Sequence, residues 1–203
     1  AFVRKSGKTG IGVTLALRLK SKEHWHTYWR NPGDSGLPTR LAWTLPEGFT
    51  AGEIAWPFPK KLPLGPLMNF GYDGEVLHLV KLRTPVGSPR SGYAELRAKA
   101  DWLVCSDVCI PESADLALRL PATTKPPRRD PRWEQAFASA LGKIPKTIDL
   151  PGAFASLGTS ALTISLPPKI ATRSIGEVEF FPYADDLIAN AARKVFYERG
   201  AGN

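Results

Sequence analysis

Cysteine is scarce in this sequence, with two copies, Cys105 and Cys109, among 203 residues. Two cysteines are too few for a small fold scaffolded by disulfides and for a zinc site built from four thiolates. The sequence also lacks the GxSxG, HExxH and glycine-rich phosphate-loop motifs, so nothing in it marks a serine hydrolase, a zinc protease or a nucleotide site. Any chemistry of the cysteines is therefore local to one short segment.

Long apolar runs are absent from the sequence as well. The longest run without an ionisable residue, residues 150–168, is interrupted by three prolines and two glycines, so it cannot form a spanning helix of about 20 apolar residues. The chain begins with AFVRKSGKTG and shows neither the basic start nor the apolar stretch of an export signal. We expect that any such signal has been removed, so its absence does not argue for the cytoplasm.

Proline, in contrast, is abundant. The 19 prolines are about twice the number that an average usage of roughly 5% gives, and they are spread along the chain. Because proline breaks helices, a bundle of long helices is excluded.

The net charge of +8 is spread over both halves of the chain. One basic cluster, KPPRRDPR at residues 125–132, lies among prolines and lacks the interleaved aromatic residues of a nucleic-acid site. It is typical of a solvated linker, and no nucleic-acid partner is expected.

Apolar residues alternate with small or polar ones in residues 11–19, 75–83, 93–105 and 114–120. This period of two is typical of strands that bury one face. Between these segments, NPGDSGLP at residues 31–38 predicts a turn, and the proline-rich residues 56–66 predict an irregular stretch. Short strands separated by turns predict an all-β antiparallel sandwich over residues 1–121.

The remaining residues predict a second, smaller unit. Residues 122–131 form a proline-rich linker, and residues 132–203 form the second unit. Trp133, Phe137 and Leu141 are spaced by four, which predicts a short amphipathic helix, and ALTISL at residues 161–166 and EVEFF at residues 177–181 are candidate strands. The unit looks short for a sandwich, so we expect the chain to stop inside or at the end of this domain.

The cysteines lie in the segment DWLVCSDVCIPE, residues 101–112. On one extended strand they would be about 13 Å apart, beyond the limit of about 7 Å for a disulfide, but a turn at residues 106–108 would bring them together. A disulfide here would close a five-residue loop and stabilise the fold by only about 2 kcal/mol. Three interpretations remain open, which are reversible redox chemistry, a structural disulfide and metal binding.

The metal interpretation depends on His24 and His26, which are two apart and so would share one face of a strand. Two thiolates and two imidazoles could bind zinc or copper, although these histidines are some 80 residues from the cysteines. Either cysteine could also act as a protease nucleophile with His24, His26 or His78 as base. Two cysteines so close together favour thiol exchange instead.

Several longer segments carry a resemblance to a known family. They are HTYWRNPGDSGLPTRLAW (residues 26–43), IAWPFPKKL (54–62), MNFGYDGEVLHLV (68–80), DWLVCSDVCIPE (101–112) and EFFPY (179–183). Together they resemble the periplasmic N-terminal region of DsbD-type transmembrane thiol-disulfide reductases. The three-residue gap between the cysteines is most similar to the ScsB branch, named for suppression of copper sensitivity.

The resemblance implies a periplasmic electron relay on an immunoglobulin-like sandwich, followed by a second immunoglobulin-like domain. The module would accept electrons from the thioredoxin-like domain of its own membrane reductase and reduce thioredoxin-fold partners, such as a disulfide isomerase or reductase. By position, Cys109 would attack the partner disulfide and Cys105 would resolve the mixed disulfide. The redox-active disulfide would be the sole redox group, with no further cofactor and no metal.

The family also implies a cap loop over the cysteines. Its residues here would be Met68, Asn69, Phe70, Gly71 and Tyr72. Phe70 would be the lid and Gly71 its flexible point.

Two further aromatic residues, Tyr28 and Trp29, resemble those that line the site from a neighbouring strand. The alternative to a role at the site is that all of these aromatic residues are ordinary core residues.

Overall fold

We analysed a computed structural model, which describes residues 3–7, 10–85, 92–121, 131–167 and 179–190. The predicted linker lies almost entirely outside these residues. The strands and the helix are β1 (Val3–Gly7), β2 (Gly10–Lys20), β3 (His26–Gly33), β4 (Arg40–Thr44), β5 (Thr50–Ala55), β6 (Lys60–Leu64), β7 (Leu67–Asp73), β8 (Glu75–Arg83), β9 (Tyr93–Cys105), β10 (Cys109–Pro121), α1 (Pro131–Gly142), β11 (Phe154–Leu157) and β12 (Leu162–Ser165). No helix within the described ranges is long and apolar enough to cross a membrane.

The first ten strands form two antiparallel sheets. One sheet has four strands in the order β1-β2-β8-β5. The other has six strands, with the order β10-β9-β3-β7-β6 and with β4 paired to β9. The predicted all-β antiparallel sandwich is confirmed.

The alternation in the sequence places one face of each strand in the core between the sheets. One cluster joins β2 and β8 of the first sheet to β9 and β10 of the second, through Val13, Leu82, Leu96 and Leu120. A second cluster lies nearer the β3–β7 pair and includes Leu19, Trp29, Phe70, Tyr72 and Val76. The alternation of apolar residues therefore places their side chains between the sheets, where they form these clusters.

Two segments differ from the predicted turns. The proline-rich stretch contains β6, an edge strand that pairs with β7, and an edge position accommodates Pro63 because its missing N–H is not needed there. The segment predicted as a turn at residues 31–38 begins inside β3. The register between β3 and β7 shifts between Tyr28 and Gly33. Gly33 has a φ of 87°, and a Cβ there would overlap the Met68 carbonyl oxygen.

The predicted amphipathic helix is present as α1, and it packs on the outer face of the four-stranded sheet. Phe137 and Ala140 are buried against Leu77 and Leu79 of β8. Leu141, which the spacing places on the apolar face, is instead 54% exposed because the buried face runs through Phe137 and Ala140.

The other described residues after α1 do not form a second sandwich. β11 and β12 make a two-stranded hairpin, and residues 179–181, predicted as part of a strand, are not in one. The second immunoglobulin-like domain is therefore not confirmed by the described part of the chain, and it stays a prediction.

Residues 179–190, called here the return segment, pack back onto the first 121 residues. The Phe181 ring lies 5.2 Å from the Phe70 ring and 6.1 Å from the Trp29 ring. The Asn31 side-chain amide donates hydrogen bonds to the carbonyl oxygens of Pro182 (2.9 Å) and Ala184 (3.0 Å). Phe181 therefore packs against the second core cluster.

Candidate functional site

The cysteines lie at the tip of the long hairpin that β9 and β10 form. β9 ends at Cys105, β10 begins at Cys109, and the two residues are opposite each other in the ladder. Between them Ser106 donates its backbone N–H to the Val108 carbonyl oxygen at 3.0 Å. The predicted turn is thus present, and it brings the two Cα atoms to 4.1 Å with the sulfurs joined in a disulfide.

The two cysteines differ in exposure. Cys105 has no exposed surface, whereas Cys109 is exposed at the start of the edge strand β10. Its neighbours Val108 and Ile110 are 61% and 43% exposed. An approaching sulfur therefore has access to Cys109 and not to Cys105.

Tyr28 contacts the disulfide from β3. Its hydroxyl oxygen lies 3.8 Å from Cys109 Sγ, and the hydroxyl is the donor because a disulfide sulfur carries no hydrogen. Burial raises the pKa of Tyr28, and a hydrogen bond with Ser35 offsets part of the rise. Tyr28 therefore remains a neutral phenol at neutral pH, able to donate to a sulfur. The structure thus places Tyr28 beside Cys109, and its predicted role in lining the site stays a prediction.

The loop that follows β3 holds the Tyr28 ring in place. Gly36 has a φ of 105°, and its Cα is so close to the Tyr28 ring that a Cβ would overlap it. Asn69 is fully buried and accepts hydrogen bonds from the backbone N–H (3.1 Å) and the hydroxyl (3.0 Å) of Ser35. Asn69 thus acts on the site through this loop, a role that the sequence did not reveal.

His26 is the nearest histidine to the disulfide in the strand ladder. It is paired with Cys105, and its ring meets the Tyr28 ring edge-on at 5.1 Å. Burial lowers the pKa of His26, with Asp73 opposing the change. The sequence offered His26 as a candidate ligand or base for the cysteines, and the pairing of β3 with β9 is what brings it to Cys105.

The geometry does not support the predicted pair of metal-binding histidines. His24 lies in the turn before β3 with a φ of 66° and an exposed side chain, so it does not share a strand face with His26. Nowhere in the described ranges do three His, Cys, Asp or Glu side chains gather as a metal ion would need.

The prediction of a cap loop is wrong, because its residues form part of a strand. Met68, Asn69, Phe70, Gly71 and Tyr72 all lie in β7, which is paired on both sides, with β6 and with β3. Gly71 does not provide flexibility, since a Cβ there would collide with the Thr27 carbonyl oxygen of β3. Glycine is needed at this position because the two strands approach closely.

The aromatic residues of the predicted cap are on the core side of β7. Gly71 is the residue paired with Tyr28, and side chains alternate along a strand, so Phe70 and Tyr72 lie on the opposite face. Phe70 is fully buried, and the Tyr72 hydroxyl donates to the Pro57 carbonyl oxygen at 2.7 Å. Trp29 belongs to the same core cluster, so its side chain lies on the face of β3 opposite to the Tyr28 side chain. These three residues support the sheet that carries the site.

Comparison with known proteins agrees with this geometry. The family described as "Thiol:disulfide interchange protein DsbD, N-terminal" matches residues 1–121. The crystal structure of the N-terminal periplasmic domain of ScsB from Proteus mirabilis is similar in fold, with a TM-score of 0.58 and 24% sequence identity. The match covers 81% of this chain and 62% of that one, so this chain accounts for under two thirds of the solved structure. No curated protein sequence matches.

The family match and the cysteine hairpin concern the same part of the chain. The matched residues contain all ten strands of the sandwich and both cysteines. They also make up more than half of the sequence. The chain therefore belongs to the family of DsbD N-terminal domains, the thiol:disulfide interchange proteins.

Proposed function

We propose that this protein is a periplasmic thiol-disulfide exchange module that reduces disulfides of thioredoxin-fold partners through Cys105 and Cys109. The observation that supports it is the uneven exposure of the disulfide, with Cys109 open at the hairpin tip and Cys105 buried. A five-residue loop gives a structural disulfide little to stabilise, about 2 kcal/mol, so a redox role accounts better for the pair.

The reaction begins with the reduced module. The Cys109 thiolate attacks one sulfur of the partner disulfide, a bond forms between the two sulfurs, and the other partner sulfur leaves as a thiolate. Cys105 then loses its proton and attacks Cys109 Sγ, which restores the Cys105–Cys109 bond and releases the partner's second thiolate. The partner gains two electrons and, after protonation, two thiol hydrogens, while the module becomes oxidised.

Tyr28 would assist the first of these two reaction steps. Its hydroxyl is 3.8 Å from Cys109 Sγ, and a neutral phenol can donate a hydrogen bond to the Cys109 thiolate before it attacks the partner disulfide. Hydrogen bonding to a thiolate lowers its pKa. Tyr28 would thus raise the fraction of Cys109 in the reactive form.

The electrons that return the module to its dithiol state would come from the thioredoxin-like domain of the same membrane reductase. Membership of the family supports the proposal of this step, of the periplasmic location and of a disulfide isomerase or reductase as partner. No cofactor beyond the disulfide is needed for the exchange, because thiolate attack supplies both electrons.

Trapping of the mixed disulfide tests the proposal. The reduced Cys105→Ser variant, mixed with an oxidised disulfide isomerase of the thioredoxin fold, should form a stable mixed disulfide on Cys109 that mass spectrometry without reductant detects. The reciprocal Cys109→Ser variant is the matched control and should trap far less. Trapping by the Cys109→Ser variant instead would reverse the two roles, and trapping by neither variant would reject the proposal.

A further inference from the structure

The register of the β9–β10 hairpin fixes what lies beside the disulfide. Leu103 and Pro111 are opposite each other in the ladder, two residues from Cys105 and Cys109. Because side chains alternate in a strand, this pair is on the same face as the disulfide, at a distance of about 7 Å along the strands.

A shallow cavity opens at this pair, called here the flanking cavity. Its volume is about 310 Å³, small by the standard of cofactor sites, which run to about 1,000 Å³. Its lining includes Leu103 and Pro111, called here the floor, and Leu37 and Pro38, called here the wall. Leu37 is 58% exposed, so its side chain is available for contact.

The wall of the flanking cavity belongs to the same loop that holds Tyr28. Ser35 is bound to the buried Asn69, and Gly36 packs on the Tyr28 ring, immediately before Leu37 and Pro38. These contacts tie the backbone that precedes the wall to Tyr28 and Asn69, on the strands that carry the site. A wall held in this way is suited to select among partner side chains.

Charged side chains of both signs line the flanking cavity, namely Arg40, Asp101 and Glu112. Arg40 and Asp101 are opposite each other in the β4–β9 ladder, and Lys99 Nζ lies 3.9 Å from Asp101. Glu112 accepts a hydrogen bond from the Trp102 indole at 3.0 Å. With both signs present, selectivity at this cavity comes from its apolar floor and wall.

We propose that the flanking cavity binds an apolar side chain of the partner, located two residues from the partner's reacting cysteine. This rests on the proposed function. A partner sulfur that reaches Cys109 must place its neighbouring backbone over the outer face of the hairpin. In an extended partner segment, a residue two positions away is about 7 Å from the cysteine, which matches the spacing between Cys109 and Pro111. An apolar side chain gains from leaving water there.

Peptide disulfides test this inference. Two symmetric disulfide dimers of a short peptide are compared, one with Phe and one with Ser two residues from the cysteine, and each reaction consumes one module dithiol and yields two peptide thiols. Chromatography follows the rates. We expect the wild-type module to reduce the Phe peptide about tenfold faster than the Ser peptide, since partial burial of such a side chain is worth roughly 1.5 kcal/mol.

Variants locate the selectivity. In Leu37→Glu the ratio of the two rates should fall to about one, because a carboxylate then borders the apolar floor. The matched control is Leu141→Glu, a leucine of α1 with almost the same exposure, 54% against 58%, and it should keep the wild-type ratio. A general change in the reactivity of Cys109 would alter both peptide rates by the same factor, so it would leave their ratio unchanged.

The outcomes separate this inference from the proposed function. Equal wild-type rates for the two peptides would overturn the inference, and so would a preference for Phe that survives in Leu37→Glu. A module whose dithiol reduces neither peptide nor the small compound bis(2-hydroxyethyl) disulfide would overturn the proposed function as well. Reduction of the small disulfide without a preference between peptides would leave the proposed function standing and reject the flanking cavity alone.

Discussion

The residues up to 121 and the described residues after 130 bury their apolar side chains in different ways. The first part closes two sheets over clusters of its own, in which Val13, Leu82 and Leu96 have almost no exposed surface. The later part places Phe137 on the outer face of β8 and Phe181 against Phe70. Its own hairpin leaves Phe154 and Leu157 63% and 66% exposed.

The difference indicates that the later part depends on the sandwich for its packing. α1 and the return segment complete clusters that belong to the sandwich, whereas the described hairpin β11–β12 has no buried residue. The family match ends at residue 121, but the packing around Trp29 and Phe70 continues to Phe181. The strand that carries Tyr28 is therefore supported in part by residues outside the matched region.

The largest expected effect is confined to the sandwich and concerns His78. Its ring is fully buried between the rings of Trp56 and Tyr72, and burial lowers its pKa from 6.5 to about 4. Between these two pH values the unfolded chain binds a proton that the folded chain does not, so stability falls as pH decreases. The loss amounts to about 3 kcal/mol by pH 4.

Urea unfolding at several pH values, followed by tryptophan fluorescence, measures this loss. His78→Leu should flatten most of the decline between pH 6.5 and 4, with His26 contributing a part of the same sign because burial also lowers its pKa. His24→Asn is the control, since His24 is exposed and Asn tolerates its positive φ. An unchanged decline in His78→Leu would place the pH sensitivity elsewhere.

The second prediction breaks the contact between the two parts. Phe181→Ala removes a ring that packs on Trp29 and Phe70, and because Phe181 is half-buried we expect a loss of about 2 kcal/mol in the free energy of unfolding. The matched control is Phe154→Ala, whose ring is 63% exposed and whose loss should stay under about 0.5 kcal/mol. Equal losses would mean that the return segment does not depend on the core contact.

Much of the sandwich and the cysteine turn could be predicted from local pattern. Period-two alternation anticipated β2, β8, β9 and β10, and the Ser-Asp pair anticipated the turn between the cysteines. These features depend on neighbouring residues, so the sequence carries them directly.

Features that depend on strand register or distant packing could not be predicted. Phe70 and Gly71 were expected in a loop, but the pairing of β7 with two strands decides their faces. His26 meets Cys105 only through the ladder between β3 and β9. Residues 177–181 alternate like a strand, yet Phe181 is held by the core of the preceding sandwich.

A third, smaller effect is expected for the hydrogen bonds of the return segment. Asn31→Ala leaves the carbonyl oxygens of Pro182 and Ala184 without their amide donor, and we expect a loss of about 1.5 kcal/mol. In a double-mutant cycle with Phe181→Ala, the two losses should fall short of additivity by at least about 0.5 kcal/mol, because both changes release the same segment. Strict additivity would show that the segment has no cooperative docking.

The smallest effect is expected for the ion pair between Lys61 and Glu179. The two groups are 3.2 Å apart, with side chains 33% and 46% exposed, and an ion pair in water contributes little because solvent screens it. Glu179→Gln should therefore change the free energy of unfolding by less than about 0.5 kcal/mol at low salt and by nothing measurable in 1 M NaCl. A loss as large as that of Phe181→Ala would mean that charge, rather than apolar packing and buried amide contacts, attaches the return segment to the sandwich.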